Sequence, residues 1–180
     1  MTNTQNEIEK KYLIREGEAV YATSALYDLY SSISDLERAV LEQGVSIRQG
    51  YLPVKEGMQL AQHLGMTIDF EPAVARMRKK GTKHYFTLKG EGLVSRKELE
   101  REIEESVFEQ YWPLTEGRRV EKMRLRAPYG IYQLEIDVYT DRVLIVVEIE
   151  IPSIEEGTRV EPLGKDVTID PRYANNNLAK

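Results

Sequence analysis

A chain of 180 residues, 41% hydrophobic and 31% charged, is long enough to bury one core, and its net charge of −5 argues against a broad nucleic-acid or anionic-membrane surface. The lack of cysteine excludes disulfides and thiolate metal sites, and histidines as far apart as His63 and His84 argue against a histidine-rich zinc centre. No run reaches the roughly 20 apolar residues of a membrane span, and Met1 to Asn6 lack the apolar stretch of a signal peptide, so a cytoplasmic protein is expected.

The first predicted strand runs from Glu7 to Ile14. Alternate strand residues share a face, so Glu7, Glu9 and Lys11 lie together, at roughly 6–7 Å spacing, opposite Ile8 and Tyr12. Two carboxylates that close suit a divalent cation, and the lysine beside them suits an anion. Leu26, Leu29, Ile33, Leu36 and Val40 then recur at helical steps, with a break at Ser31-Ser32. Ser34 and Glu37 match a capping box, and Gly44 is a natural stop. Val45 to Leu52 reads as the second strand. Pro53 to Pro72 reads as a surface insertion without chemistry, holding a short helix near Met58 to Leu64.

From Ala73 onward the pattern is strands. Val74 to Lys80 and His84 to Gly90 form a predicted hairpin about Gly81-Thr82, and Val94 to Ile103 a fifth strand. Glu104 to Trp112 is a predicted helix ended by Pro113. Arg118 to Arg126, Ile131 to Tyr139 and Val143 to Ile151 are the last strands, with a turn at Pro128-Tyr129-Gly130. The tail is loop-like until Asp170-Pro171 opens a short helix through Leu178.

The polar faces of these strands are charged and little else. Arg76, Arg78 and Lys80 align on one strand, and Tyr85, Thr87 and Lys89 on the next. Arg96, Glu98, Glu100 and Glu102 follow, then Lys122, Arg124 and Arg126, then Glu135 with Asp137, then Glu148 with Glu150. Like charges in a row destabilise a sheet unless counter-charges lie opposite. Closure resolves this. The expected fold is α+β: an eight-stranded antiparallel β-barrel, or tunnel, with a charged interior, flanked by helices and formed by residues 1–180 as one domain. Buried charges need partners or ligands. The arginines and lysines suit phosphate oxygens, and the glutamates require divalent cations between themselves and such an anion. Polyphosphate with Mg²⁺ or Mn²⁺ uses both sets.

The ordered motifs Glu7-x-Glu9-x-Lys11, Arg76-x-Arg78-x-Lys80, Thr87-x-Lys89, Arg96-x-Glu98-x-Glu100-x-Glu102, Lys122-x-Arg124, Glu135-x-Asp137 and Glu148-x-Glu150 resemble the CYTH superfamily, the triphosphate tunnel metalloenzymes. Gly164-Lys165 and Asp170-Pro171-Arg172-Tyr173 resemble its bacterial members, although the stretch from Pro53 to Pro72 is longer than in compact ones. The resemblance implies a tunnel that binds a triphosphate and a divalent metal, and does not choose among the family's activities. A metal-dependent triphosphatase is the reading preferred here, with tripolyphosphate its substrate, because no nucleobase pocket is readable and Trp112 falls in a helix. Alternatives are an adenylate cyclase making cyclic AMP and pyrophosphate, or a polyphosphate-binding module without chemistry.

In the triphosphatase reading, Glu7, Glu9, Glu148 and Glu150 hold Mg²⁺ or Mn²⁺. Lys11, Arg76, Arg78, Lys80, Lys89, Lys122, Arg124 and Lys165 hold the triphosphate. Glu98, Glu100, Glu135 and Asp137 bind a second metal or orient water, and Lys11 and Glu102 are catalytic candidates. Trp112 and His84 are expected to be packing residues, and Tyr173 to close a tunnel mouth or pack. No nucleic-acid or membrane partner is expected. The oligomeric state stays open, a homodimer included.

Overall fold

The computed structural model describes residues 3–92 and 95–179, with side chains from residue 8 onward. In chain order the elements are β1 (Asn3–Glu16), β2 (Ala19–Val20), α1 (Ser24–Tyr27), α2 (Ile33–Gln43), β3 (Val45–Leu52), α3 (Val54–His63), β4 (Val74–Lys80), β5 (Lys83–Lys89) and β6 (Ser95–Ile103). They continue as α4 (Glu105–Tyr111), β7 (Arg119–Tyr129), β8 (Tyr132–Tyr139), β9 (Leu144–Glu150), α5 (Ile154–Gly157), β10 (Lys165–Asp166) and α6 (Asn175–Leu178). Hydrogen-bonded neighbours follow the order β10-β1-β6-β5-β4-β3-β7-β8-β9, and β9 also pairs with β1, so the eight long strands close in a ring flanked by helices. Every pair whose register is described is antiparallel.

Two compact units divide the chain. The first contains Ile8–Ser46 and Glu121–Asp170, and we call it the Glu148 unit. In it, Tyr12, Ile14, Leu134, Ile136, Val147 and Ile149 form an apolar sheet face covered by Ala25 and Leu26 of α1 and by Leu36 and Val40 of α2. The alternate residues of β7, β8 and β9 are the charged ones. Strand periodicity thus separates an oily face from a charged face within a few residues.

The second contains Met1–Glu7, Ile47–Val120 and Pro171–Lys180, and we call it the Glu100 unit. Here Ala75, Met77, Phe86, Leu88 and Leu99 pack under Leu60 and Ala61 of α3 and under Phe108 and Trp112. The stretch read as a surface insertion is therefore structural. Its helix starts directly after Pro53 and buries Leu60 and Ala61 completely. The apolar spacing at Gly57, Leu60 and Ala61 is obscured in the sequence by the exposed Lys55 and Met58 and the half-buried Glu56 between them.

Other boundaries shift for local reasons. The cap of α2 is Ser32, whose Oγ accepts the Asp35 N–H at 3.1 Å, not Ser34 with Glu37. Ser32 is extended and can present its oxygen, whereas Ser34 is already inside the helix. Pro113 does not end the chain's helical path. It occupies a 3-10 turn, Trp112–Thr115, whose first N–H groups have no helical partner to lose. β7 runs through Pro128, and the tight turn falls on Gly130, at φ +59°, rather than on Pro128-Tyr129-Gly130.

Gly57 fixes how closely α3 approaches β4. A Cβ on Gly57 would lie 2.3 Å from the Ala75 Cβ. Gly57→Val is expected to cost about 2 kcal/mol in urea unfolding, within the usual range for overpacking. A loss below about 0.5 kcal/mol would contradict the packing described.

Candidate active site

In the Glu148 unit, four cations meet four carboxylates on adjacent strands: Lys11, Lys122, Arg124 and Arg126 against Glu9, Glu135, Asp137 and Glu148. Register produces these meetings. Lys11 lies opposite Glu148, Glu9 opposite Glu150, and Arg124 opposite Asp137. The Lys11 Nζ is 2.9 Å from Glu148 Oε1 and 3.6 Å from Glu9 Oε1. Arg124 donates from Nε to Asp137 Oδ1 at 2.6 Å, and from Nη2 to Asp137 Oδ2 at 2.6 Å and to Glu148 Oε2 at 2.7 Å. Its Nη1 donates to Glu135, which also accepts from Arg126. Lys122 donates to Asp137 Oδ2 at 2.5 Å.

These groups are largely withdrawn from water. Asp137 is 0% exposed and Lys122 is 2% exposed. Burial pushes the Lys122 ammonium down to about 8, although Asp137 pulls it upward. Burial alone would raise Glu148, but Lys11, then Arg124 and Lys122, outweigh it and hold the carboxyl well below the usual range. Arg124 loses to desolvation but gains more from Asp137 and Glu148, so it stays charged.

In the Glu100 unit, Arg76 and Arg78 contact Glu100, and Lys89 and Arg96 contact Glu98. Arg78 Nη2 donates to both Glu100 oxygens, at 3.0 and 2.8 Å. Arg76 Nη2 donates to Glu100 Oε2 and to Thr87 Oγ1, both at 3.2 Å, and the Thr87 hydroxyl donates to Glu100 Oε2 at 2.7 Å. Lys89 and Arg96 both reach Glu98. Burial raises Glu100, but Arg78, Arg76 and the Thr87 hydroxyl together lower it.

Gln49 and Tyr51 join this face of the Glu100 unit, in register with Arg78 and Arg76. Both are buried, and the Gln49 amide donates to the Tyr51 hydroxyl at 2.7 Å. Sequence reasoning missed them. Their alternation in the second strand was the available signal.

The remaining charged candidates lie closer to solvent. Glu150 is exposed at the end of β9, and Glu102 is exposed with Lys83 at 3.1 Å. Lys165 is exposed, its Nζ 5.4 Å from the Tyr21 ring centre. Lys80 is half-buried, in register with Ile47 and Lys83. The Glu7 side chain lies outside the described residues. Trp112 and His84 pack in the Glu100 unit, His84 against Phe108 at 4.8 Å between ring centres and Phe108 against Trp112 at 4.9 Å. Tyr173 is buried.

Glu9 and Glu148, which share Lys11, supply the hard oxygen donors that Mg²⁺ or Mn²⁺ takes, so the donor chemistry fits a divalent cation. Among the described residues, no three acidic or histidine side chains are gathered as a ready metal cluster. No helix among them is long and apolar enough to cross a membrane.

Comparisons with known proteins give the class of enzyme to which the chain belongs. No family model matches the chain. It is 38% identical over 141 residues to an inorganic triphosphatase of Nitrosomonas europaea, covering 75% of this chain and 84% of that protein. An inorganic triphosphatase of Acetivibrio thermocellus is 31% identical over 182 residues, covering 97% and 93% of the two chains. A solved inorganic triphosphatase structure matches at TM-score 0.56 and 30% identity, over 96% of this chain and 93% of that one. A Bacillus halodurans structure, provisionally assigned as an adenylate cyclase, matches at TM-score 0.52 over 87% and 86% of the two chains, and at 16% identity it shows the fold alone. The chain belongs to the inorganic triphosphatase family, within the CYTH superfamily of triphosphate tunnel metalloenzymes.

Glu148 and Glu100 have folded-state values below the ordinary glutamate value of 4.5. The unfolded chain therefore takes up their protons first as pH falls. Their stabilisation is full above about 4.5 and is lost as pH drops toward the folded values. Thermal unfolding between pH 6 and pH 3 is expected to show a midpoint that falls below about pH 4.5, and Glu100→Gln a smaller fall. An equal fall in wild type and variant would contradict this assignment. Lys122→Met leaves Asp137 buried without that cation and is expected to cost about 3–5 kcal/mol in urea unfolding; a cost under about 1 kcal/mol would contradict the buried pair.

Proposed function

We propose that the enzyme hydrolyses inorganic tripolyphosphate with Mg²⁺ or Mn²⁺. The observation that carries this reading is Lys11, held within 2.9 Å of Glu148 and 3.6 Å of Glu9 beside Arg124, which itself contacts Glu148. A lysine and an arginine are there poised for phosphate oxygens, next to carboxylates with donors for a hard cation. Kinship with proteins named inorganic triphosphatases supports the substrate.

In this reading Glu9 and Glu148, with Glu150 opposite Glu9, would hold the cation, which would neutralise phosphoryl charge and acidify water. Lys11, Lys122 and Arg124 are the phosphate contacts of the Glu148 unit, and Arg76, Arg78 and Lys89 are the anion donors of the Glu100 unit. Lys80 and Lys165 are outer candidates for the same work. On binding, Lys11 exchanges part of its contact with Glu148 for a phosphate oxygen. Arg124, whose Nε, Nη1 and Nη2 already donate to Asp137, Glu135 and Glu148, supplies fixed positive charge to the phosphate oxygens. A water oxygen bonds to the terminal phosphorus in line as the bridging P–O bond breaks, giving orthophosphate and pyrophosphate. Because the strands and their carboxylates set these donors in advance, little reorganisation is required.

Trp112 offers little to a nucleobase. Phe108 stacks on it, and Arg48 and Arg119 lie 5.2 and 4.4 Å from its ring centre. Tripolyphosphate is therefore favoured over ATP.

The test is phosphate release from tripolyphosphate and ATP with Mg²⁺, with Mn²⁺ and with chelator. Tripolyphosphate is expected to exceed ATP at least tenfold in kcat/KM, and chelator to abolish release. Lys11→Met and Glu148→Gln are each expected to lower kcat/KM about 100-fold or more, the usual scale for removing one preorganised charged contact. Absence of turnover of any triphosphate would overturn the reading, and cyclic nucleotide with pyrophosphate from ATP would replace it with the cyclase.

A further inference from the structure

We infer that Asp137 is a positioning residue, a buried anchor that aims Lys122 and Arg124 at phosphate, and not a ligand for a second cation. The inference rests on the triphosphatase reading above for what the two cations hold. Its own basis is the hydrogen-bond accounting at one carboxylate.

Asp137 is 0% exposed, and both its oxygens are engaged. Oδ1 accepts from Arg124 Nε at 2.6 Å, while Oδ2 accepts from Arg124 Nη2 at 2.6 Å and from Lys122 Nζ at 2.5 Å. A carboxylate has about four acceptor positions, and here three carry charge-assisted bonds. The remaining position is shut off from water, so a cation arriving at Asp137 would have to displace a buried ammonium or one arm of a bidentate guanidinium. That takes from a buried positive charge the counterion it is hydrogen-bonded to. The bidentate fork also fixes the guanidinium plane of Arg124, and its Nη2 then points to Glu148 at 2.7 Å. Lys122, 2% exposed, is held between Asp137 and the Tyr139 ring, whose centre is 5.4 Å from Nζ.

Other carboxylates of the charged faces differ. Glu100 is one-third exposed at its side chain and Glu135 about one-fifth, so both keep an approach from water. The inference is confined to Asp137, where that approach is closed.

The experiment is tripolyphosphate hydrolysis by purified wild type, Asp137→Asn and Glu148→Gln, titrated separately in substrate and in Mg²⁺. For Asp137→Asn the expected result is a KM raised at least tenfold, with the Mg²⁺ activation midpoint moved less than twofold. Glu148→Gln is expected to move the Mg²⁺ midpoint. An Asp137→Asn midpoint raised tenfold with KM unchanged would overturn the inference and make Asp137 a cation ligand. If Asp137→Asn does not unfold cooperatively, the double variant Lys122→Met, Asp137→Asn removes cation and anchor together. It is expected to fold and to show the raised KM with the Mg²⁺ midpoint fixed, and a moved midpoint would again overturn the inference. Should wild type turn over no triphosphate, the functional reading fails by itself. Calorimetric binding of tripolyphosphate then decides the anchor role: a tenfold loss in Asp137→Asn supports it, and unchanged affinity overturns it.

Discussion

A charge taken out of water must meet a counter-charge or a ligand, and that constraint orders both units of this protein. Strand alternation puts charged side chains on one face and apolar ones on the other, and helices cover the apolar face in each unit. The charged residues are thereby committed to a face where several of them are nearly fully buried. Antiparallel register then sets acids against bases: Arg124 faces Asp137, Lys11 faces Glu148, and Arg76 faces Thr87 and, one strand further, Glu100. Such pairs add little net stability compared with apolar residues of equal size. Their retention is consistent with work on a charged guest.

The two units solve this constraint differently. In the Glu148 unit cations and carboxylates balance, and Glu9 and Glu148 crowd one lysine. In the Glu100 unit Arg76 and Arg78 converge on Glu100, and Lys89 and Arg96 on Glu98. The first arrangement suits a cation beside a phosphate. Both sets stand on strands, which hold side chains more rigidly than loops do, and rigidity is what converts hydrogen-bond donors into transition-state stabilisation.

Much of this was legible in the residues because a strand has a period of two. The doublets Arg76-x-Arg78, Lys122-x-Arg124, Glu135-x-Asp137 and Glu148-x-Glu150 name a shared face without coordinates, and β3 and β4 begin and end where the pattern placed them. What a single strand cannot reveal is its neighbour. Whether Asp137 faces a metal or Arg124 depends on the register between β7 and β8. The same ignorance hid Gln49 and Tyr51, which gain meaning only beside Arg78 and Arg76. The helix after Pro53 was misjudged because its buried face is short and rests on a glycine, Gly57, whose value lies in contact with Ala75. The Ser32 cap is hidden in the sequence because serines 32 and 34 both precede acids three residues on, Asp35 and Glu37, and only backbone conformation distinguishes them.

That buried, paired charges are held ready for a polyanion is tested most directly by thermal unfolding in tripolyphosphate, against chloride of matched ionic strength. Ligand at about 100 times its dissociation constant stabilises the folded state by about 2.7 kcal/mol, which for a chain of this size is a rise of roughly 5–10 °C. We expect that rise, and expect it to shrink in Arg124→Met at the same concentration. Identical midpoints in tripolyphosphate and chloride, across concentrations to the millimolar range, would contradict it.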